Sequence, residues 1–153
     1  LLDFAKGFLT VMFLPVIMSH LPFPQAADTS EEMIKTFVFA AAVAGHIFPV
    51  YINFRGGKGV AVAAGCVTAL YPPAFAVCLL TFASLFFATR TASAASLSAV
   101  WVLPLFYPAA AHFSGSFFWP YEILFISCAI LITFMHRKNI IRLLNGTENR
   151  FSF

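Results

Sequence analysis

Between Lys58 and Arg90 no side chain carries a formal charge, and Val60–Thr89 is apolar almost throughout. That run is longer than the ~20 residues one helix needs to cross a bilayer. Further apolar blocks, Phe8–Ser19 and Ile123–Met135, lie elsewhere in a chain of only 153 residues. Soluble domains are ~45–50% hydrophobic and ~25% charged; here the fractions are 61% and 10%. There is too little polar surface to cover a water-soluble fold of this size. The chain is therefore a bilayer protein. Lipid offers no hydrogen bonds, so spanning segments are either helices or closed barrels. Barrel strands alternate apolar and polar residues over ~9–11 positions. The blocks here are continuous, which predicts an all-α, polytopic helix bundle.

The first segment is expected from Phe4 to about Ser19, entered through Asp3 and Lys6 and stopped by Pro22 and Pro24. Ser30, followed by Glu31 and Glu32, reads as a helix start, and the second segment runs from about Met33 to Tyr51. Val60–Thr89 is either one kinked span or a short hairpin turning at Pro72-Pro73. A further segment lies at about Ala92–Ala111 with Pro104 inside it, and the last runs from Ile123 to Met135. In the tail His136–Phe153, the spacing of Ile140, Ile141, Leu143 and Leu144 predicts a short helix lying on the membrane surface.

Charge placement chooses between the two readings of the long run. Basic residues in short loops mark the cytoplasmic side. With a hairpin at Pro72-Pro73, Lys6, Arg55, Lys58, Arg90, Arg137, Lys138, Arg142 and Arg150 share one face. Lys35 falls opposite, with Asp28, Glu31, Glu32 and Glu122. A single span would move Arg90 to the wrong side. The expectation is a single domain over 1–153 with about six apolar segments, its active face cytoplasmic. Cys66, Cys78 and Cys128 sit inside apolar blocks without CxxC or Cys/His spacing. They read as packing residues, and neither a disulfide framework nor a metal centre is expected. The chain opens on Leu1 with no basic n-region or cleavage site, which reads as the interior of a longer protein and not as a signal peptide.

Three polar patches fall on the expected cytoplasmic face. In Phe54-Arg55-Gly56-Gly57-Lys58-Gly59 the glycines allow close approach of backbone N–H groups to an anion, and the next helix points its positive end there. Lys58 adds a full charge. The GxxxxGK[ST] spacing of a Walker loop is absent. The plainer reading is a glycine turn with topology-setting Arg55 and Lys58, although three glycines exceed what a turn needs. His46, near the end of the second segment, reads as a packing residue when taken alone. Thr89–Ser96 forms the second patch, where Ser93 and Ser96 share a helix face. Hydroxyls there either cap the helix or donate to a phosphate. The third patch is His136–Glu148, with His136 and Asn139 on one helical face. A basic anchor for anionic lipid accounts for Arg137, Lys138 and Arg142. It does not account for His136, Asn139 and Glu148.

Gly45-His46-Ile47-Phe48-Pro49 through Val60-Ala61, together with His136–Leu143 through Gly146-Thr147-Glu148, resembles two motifs of the bacterial acyl-phosphate–glycerol-3-phosphate acyltransferases of the inner membrane. Asp3–Gly7 resembles that family's entry to its second span, and Thr89–Ser96 its hydroxyl-bearing loop. The resemblance implies transfer of a fatty acyl group from acyl phosphate to the 1-hydroxyl of glycerol 3-phosphate, giving lysophosphatidic acid for phospholipid synthesis. It implies that Arg55, Gly56, Gly57, Lys58, Gly59 and His46 bind substrate and that Lys58, His136 and Asn139 are needed for activity. Either Ser93 or Ser96 contacts phosphate, and Glu148 is structural. The family's first span and first motif, a glycine-rich loop with a serine and an arginine, precede the region matched, so the expectation is an N-terminally truncated chain. Val62 and Thr91-Ala92 depart from the family's usual residues. No cofactor and no nucleic-acid partner are implied. The competing readings are an anion transporter component and an inactive fragment or assembly partner. Transporters place ionisable groups near the midplane, and these segments carry almost none.

Overall fold

The computed structural model describes residues 1–20 and 30–152. The helix-stopping role expected of Pro22 and Pro24, and the placement of Asp28, lie outside the described residues. Among the described residues there are seven α-helices: α1 (Leu2–Ser19), α2 (Glu31–Ile47), α3 (Val60–Leu70), α4 (Pro72–Thr89), α5 (Ala92–Phe113), α6 (Trp119–Met135) and α7 (Arg137–Leu144). A 3₁₀ turn, Val50–Ile52, follows α2. No strand occurs among the described residues. The all-α expectation holds.

Local chemistry sets the boundaries. Ser30 caps α2, its hydroxyl accepting from the Met33 N–H at 3.2 Å. The long run breaks at Tyr71, which sits at φ −149° and ψ 81° between α3 and α4. Pro72 forbids the α conformation to the residue before it and then serves as the first residue of α4. Pro120 lies in the first turn of α6, where its missing N–H costs nothing, and that helix begins four residues before the expected Ile123. Three helices are long and apolar enough to cross a membrane: Glu31–Ile52 counted with its 3₁₀ turn, α4 and α5. The bent pair α6 and α7, meeting at 64°, makes a fourth. α3 has 11 residues, about 16 Å of helix against a hydrocarbon layer of about 30 Å.

The chain forms two compact units, Leu1–Pro72 and Pro73–Phe153. In the first, α1 packs against α2 and α3, with Val11, Phe39, Val43, Ile47, Val62, Cys66 and Val67 buried. Lipid is as apolar as leucine, so burial alone does not drive helices together in a bilayer, and close van der Waals contact does. That contact is made through glycine. A Cβ at Gly65 would overlap the Phe4 carbonyl, and one at Gly7 the Val62 carbonyl.

In the second unit α5 packs against α6. Tyr107 meets Tyr121 and Phe125 edge-to-face and those two rings stack, with centroids 5.2–6.2 Å apart. Tyr107 Oη accepts from the Phe118 N–H at 3.0 Å and lies 3.3 Å from its carbonyl, fixing the α5–α6 connection. Trp101 Nε1 donates to Thr133 Oγ1 at 3.0 Å, joining the middle of α5 to the last turn of α6.

Replacing Gly65 by alanine forces a methyl group into backbone that cannot yield, a cost of about 1–3 kcal/mol. Gly45 has nothing within 4 Å of its would-be Cβ, and Gly45→Ala gains up to about 1 kcal/mol of helix stability. Thermal melts in detergent should therefore move in opposite directions for the two variants.

Candidate functional site

The first polar group is built where α2 hands over to α3. After Ile47 the chain turns at the buried Pro49 and passes through Asn53 and Phe54 at φ 52° and 58°. It then runs back against the last turn of α2. Phe54 N–H donates to the Pro49 carbonyl at 3.0 Å, Gly56 N–H to Ile47 at 3.2 Å and Gly57 N–H to His46 at 3.3 Å. A Cβ on Gly56 would strike the His46 and Ile47 carbonyls, and one on Gly57 the His46 ring. Gly59 sits at φ +85°, where a β-carbon is disfavoured.

The fold adds a packing role to these glycines. The N–H groups of Gly56 and Gly57 are spent on α2, so these two glycines serve close packing of the loop. The N–H groups of Val60 and Ala61 precede the first intrahelical bond of α3, made from Ala63 to Gly59 at 2.9 Å, and are placed to meet an anion, whereas Val62 is buried. Arg55 and Lys58 are both exposed beside them. His46 is 15% exposed, with Nδ1 3.5 Å from Asp3 Oδ1.

The second polar group joins α5 to α7. Ser93, Ser96, His136 and Asn139 are all buried. Ser93 Oγ and Asn139 Nδ2 both donate to Glu148 Oε1 at 2.7 Å, and Arg142 Nε donates to Glu148 Oε2 at 2.7 Å. These contacts hold the Glu148 carboxyl down to about 2, the Asn139 bond contributing most and burial opposing it. Glu148 reaches back because α7 ends in a Schellman turn. Gly146, at φ 68°, donates to Leu143 at 3.2 Å, and Thr147 donates to Arg142 at 2.8 Å.

His136 stands at the α6–α7 bend. Its Nδ1 lies 2.8 Å from the Ile132 carbonyl; a carbonyl only accepts, which places the ring proton on Nδ1. Ser96 is buried one turn beyond Ser93. At the α4–α5 joint, Arg90 sits at φ 57° and its carbonyl accepts from Phe151 N–H at 2.9 Å.

Of the residues singled out in the sequence, His46 meets Gly56 and Gly57, while Ser93 meets Asn139 through Glu148. The two groups belong to different units of the chain. Arg142 is the residue that sequence reasoning missed. It was grouped with Arg137 and Lys138 as a topology anchor, yet Arg137 lies over the Phe134 ring at 4.7 Å while Arg142 pairs with Glu148. Its position one turn after Asn139 was the available signal. Among the described residues no three His, Cys, Asp or Glu gather as metal ligands.

The family model for glycerol-3-phosphate acyltransferase matches residues 1–146. The chain belongs to that family. A glycerol-3-phosphate acyltransferase of Pseudomonas fluorescens is 39% identical over 149 residues, 97% of this chain and 69% of that protein. The Aquifex aeolicus enzyme of the same description is 36% identical over 98% of this chain and 70% of its own length. Among solved structures, the chain is similar to PlsY, an integral membrane glycerol 3-phosphate acyltransferase, in its glycerol 3-phosphate form. The TM-score is 0.79 at 34% identity, covering 99% of this chain and 68% of that one. The lysophosphatidic acid form gives 0.78 at the same identity. With such relatives and its own apolar helices, this family member is a multi-pass membrane protein.

Because Glu148 is held near 2 against an ordinary 4.5, its ionised form stabilises the fold. That stability is complete above about pH 4.5 and is lost as pH falls toward 2. Melting curves of the wild type and Glu148→Gln should differ by a constant amount from pH 7 to 5 and converge below it. A gap that stays constant into acid would show that the charge of Glu148 is not what the cluster uses.

Proposed function

We propose that this chain transfers a fatty acyl group from acyl phosphate to the 1-hydroxyl of glycerol 3-phosphate, giving lysophosphatidic acid for phospholipid synthesis. The observation that carries this reading is the agreement of 99% of the chain, at a TM-score of 0.79, with PlsY in its glycerol 3-phosphate form. The α2–α3 junction supplies what a phosphorylated alcohol requires. Lys58 and Arg55 provide charge, the first turn of α3 provides N–H donors, and Gly56, Gly57, Gly59 and His46 shape the floor. Ser93 or Ser96, with His136 and Asn139, makes the second set of polar contacts, and Glu148 holds that set in place.

Acyl phosphate is a mixed anhydride and already activated. The hydroxyl oxygen attacks the acyl carbon, the new ester C–O bond forms, and the C–O bond to phosphate breaks. Phosphate leaves with the electron pair, and the hydroxyl proton passes to a phosphate oxygen. No covalent enzyme intermediate is needed, so the protein's work is positioning and charge stabilisation. In this reading the chain is one acyltransferase domain of the bacterial inner membrane. With the hairpin topology expected from the sequence, eight of the nine basic residues would fall on one side, which favours cytoplasmic active-site loops.

The test is acyl transfer from palmitoyl phosphate to glycerol 3-phosphate by this chain in liposomes, following lysophosphatidic acid and released phosphate. Loss of one charge-assisted contact is worth about 10- to 100-fold, and Lys58→Ala should lower kcat/KM for glycerol 3-phosphate by that much. No product from the parent chain would sink the reading.

His136→Gln separates proton transfer to phosphate from a histidine base. The variant should lose rate while keeping the shape of the pH–rate profile. If the acidic limb of the profile disappears with the imidazole, His136 is the base.

A further inference from the structure

The acidic residue at the start of α1 has no role in the reaction described above, yet it is placed against one that does. Asp3 Oδ1 lies 3.5 Å from His46 Nδ1 and 3.5 Å from Lys6 Nζ. His46 is the last-turn histidine of α2 and only 15% exposed, whereas Asp3 is 47% exposed. On its other edge the imidazole is held by the glycine loop. A Cβ on Gly57 would overlap Nε2, and the His46 carbonyl accepts the Gly57 N–H at 3.3 Å. The ring is thus fixed from two sides by elements far apart in sequence, α1 at Nδ1 and the Gly56–Gly59 loop at Nε2. All of these residues lie within the unit Leu1–Pro72.

We propose that Asp3 is the positioning residue for His46. Its carboxylate draws the Nδ1 proton toward α1 and so presents Nε2 at the Gly57 edge of the loop, where it meets glycerol 3-phosphate. A carboxylate beside one ring nitrogen selects both the tautomer and the ring orientation, because the proton follows the stronger acceptor. Sequence separation hid this pairing, since the two positions are 43 apart in number and nothing in their spacing links them. The proposal deepens the function proposed above and rests on it for the identity of the ligand. The orientation of the ring does not depend on that identity.

Two measurements test it, on the full chain in detergent micelles. The first is the ¹⁵N spectrum of histidine-labelled protein, with His46→Gln assigning the signal. Asp3→Asn should shift His46 away from the Nδ1–H form; an unchanged His46 signal overturns the positioning role whether or not the chain is active. The second is a double-mutant cycle in the acyl-transfer assay. Asp3→Asn should raise KM for glycerol 3-phosphate about two- to fivefold, the worth of one partly exposed ion pair, with kcat nearly unchanged. In the His46→Gln background the same substitution should add almost nothing. Equal losses in both backgrounds would overturn a role exerted through His46, and matched melting temperatures of the variants exclude unfolding as the cause. Should the parent chain make no product, the reading of its function falls, and the spectrum still decides whether Asp3 orients His46.

Discussion

In an apolar solvent a helix gains little by exchanging lipid for leucine, so helices must come close enough for backbone itself to touch. In the unit Leu1–Pro72 that closeness depends on the absence of two β-carbons. Gly65 lets the Phe4 carbonyl approach, and Gly7 admits the Val62 carbonyl. Contact at both places runs α1 along α3. It brings Asp3, in the first turn of α1, level with the end of α2 and the loop that leads into α3. The polar arrangement around His46 is therefore a consequence of packing. A helix pair held one methyl layer further apart would leave Asp3 out of reach of the imidazole.

The second unit meets a different requirement. Ser93, His136 and Asn139 are buried, and a buried polar group without a partner costs about 1–3 kcal/mol. Glu148 resolves this for two of them with a single oxygen and uses the other for Arg142. Replacing the carboxylate by an apolar group would strand two buried donors at once and release Arg142 to water. The placement of Glu148 depends in turn on Gly146, whose left-handed backbone reverses the chain after α7. Asn139 in α7 and Ser93 in α5 are thereby tied to one point.

Elements governed by local rules were legible in the sequence. Ser30 starts α2, Pro72 breaks the long apolar run after Leu70, and the spacing of Ile140, Ile141, Leu143 and Leu144 gives α7. Glycine beside lysine drew attention to Gly56 and Gly57 as an anion cradle, a pattern that looks the same whether or not the amides are free. Only the fold shows those amides donating to Ile47 and His46. Arg142 was hidden for a related reason. A basic residue after a last span has a ready explanation as an anchor, and nothing local separates it from Arg137. The pairing of Asp3 with His46 is tertiary and has no sequence signature.

Strain marks the joints that carry both polar groups. Asn53, Phe54 and Arg90 adopt left-handed backbone without being glycine, at about 1–2 kcal/mol each. Asparagine tolerates this conformation, but phenylalanine and arginine gain nothing local from it. Each is held by bonds on either side. Phe54 donates to Pro49 and its neighbour Arg55 to Ile52, while Arg90 donates to Phe86 at 2.7 Å and accepts from Phe151. At about 0.5–1.5 kcal/mol net per bond, two such bonds offset the strain with little to spare. Glycine at either position would remove the strain but widen the unfolded ensemble by a comparable amount. Stability alone therefore does not choose between the two. The bulky residue differs in that it allows fewer alternative turns, and the residues that follow, Lys58 after Phe54 and Ser93 after Arg90, keep a fixed direction from the helix ends that present them.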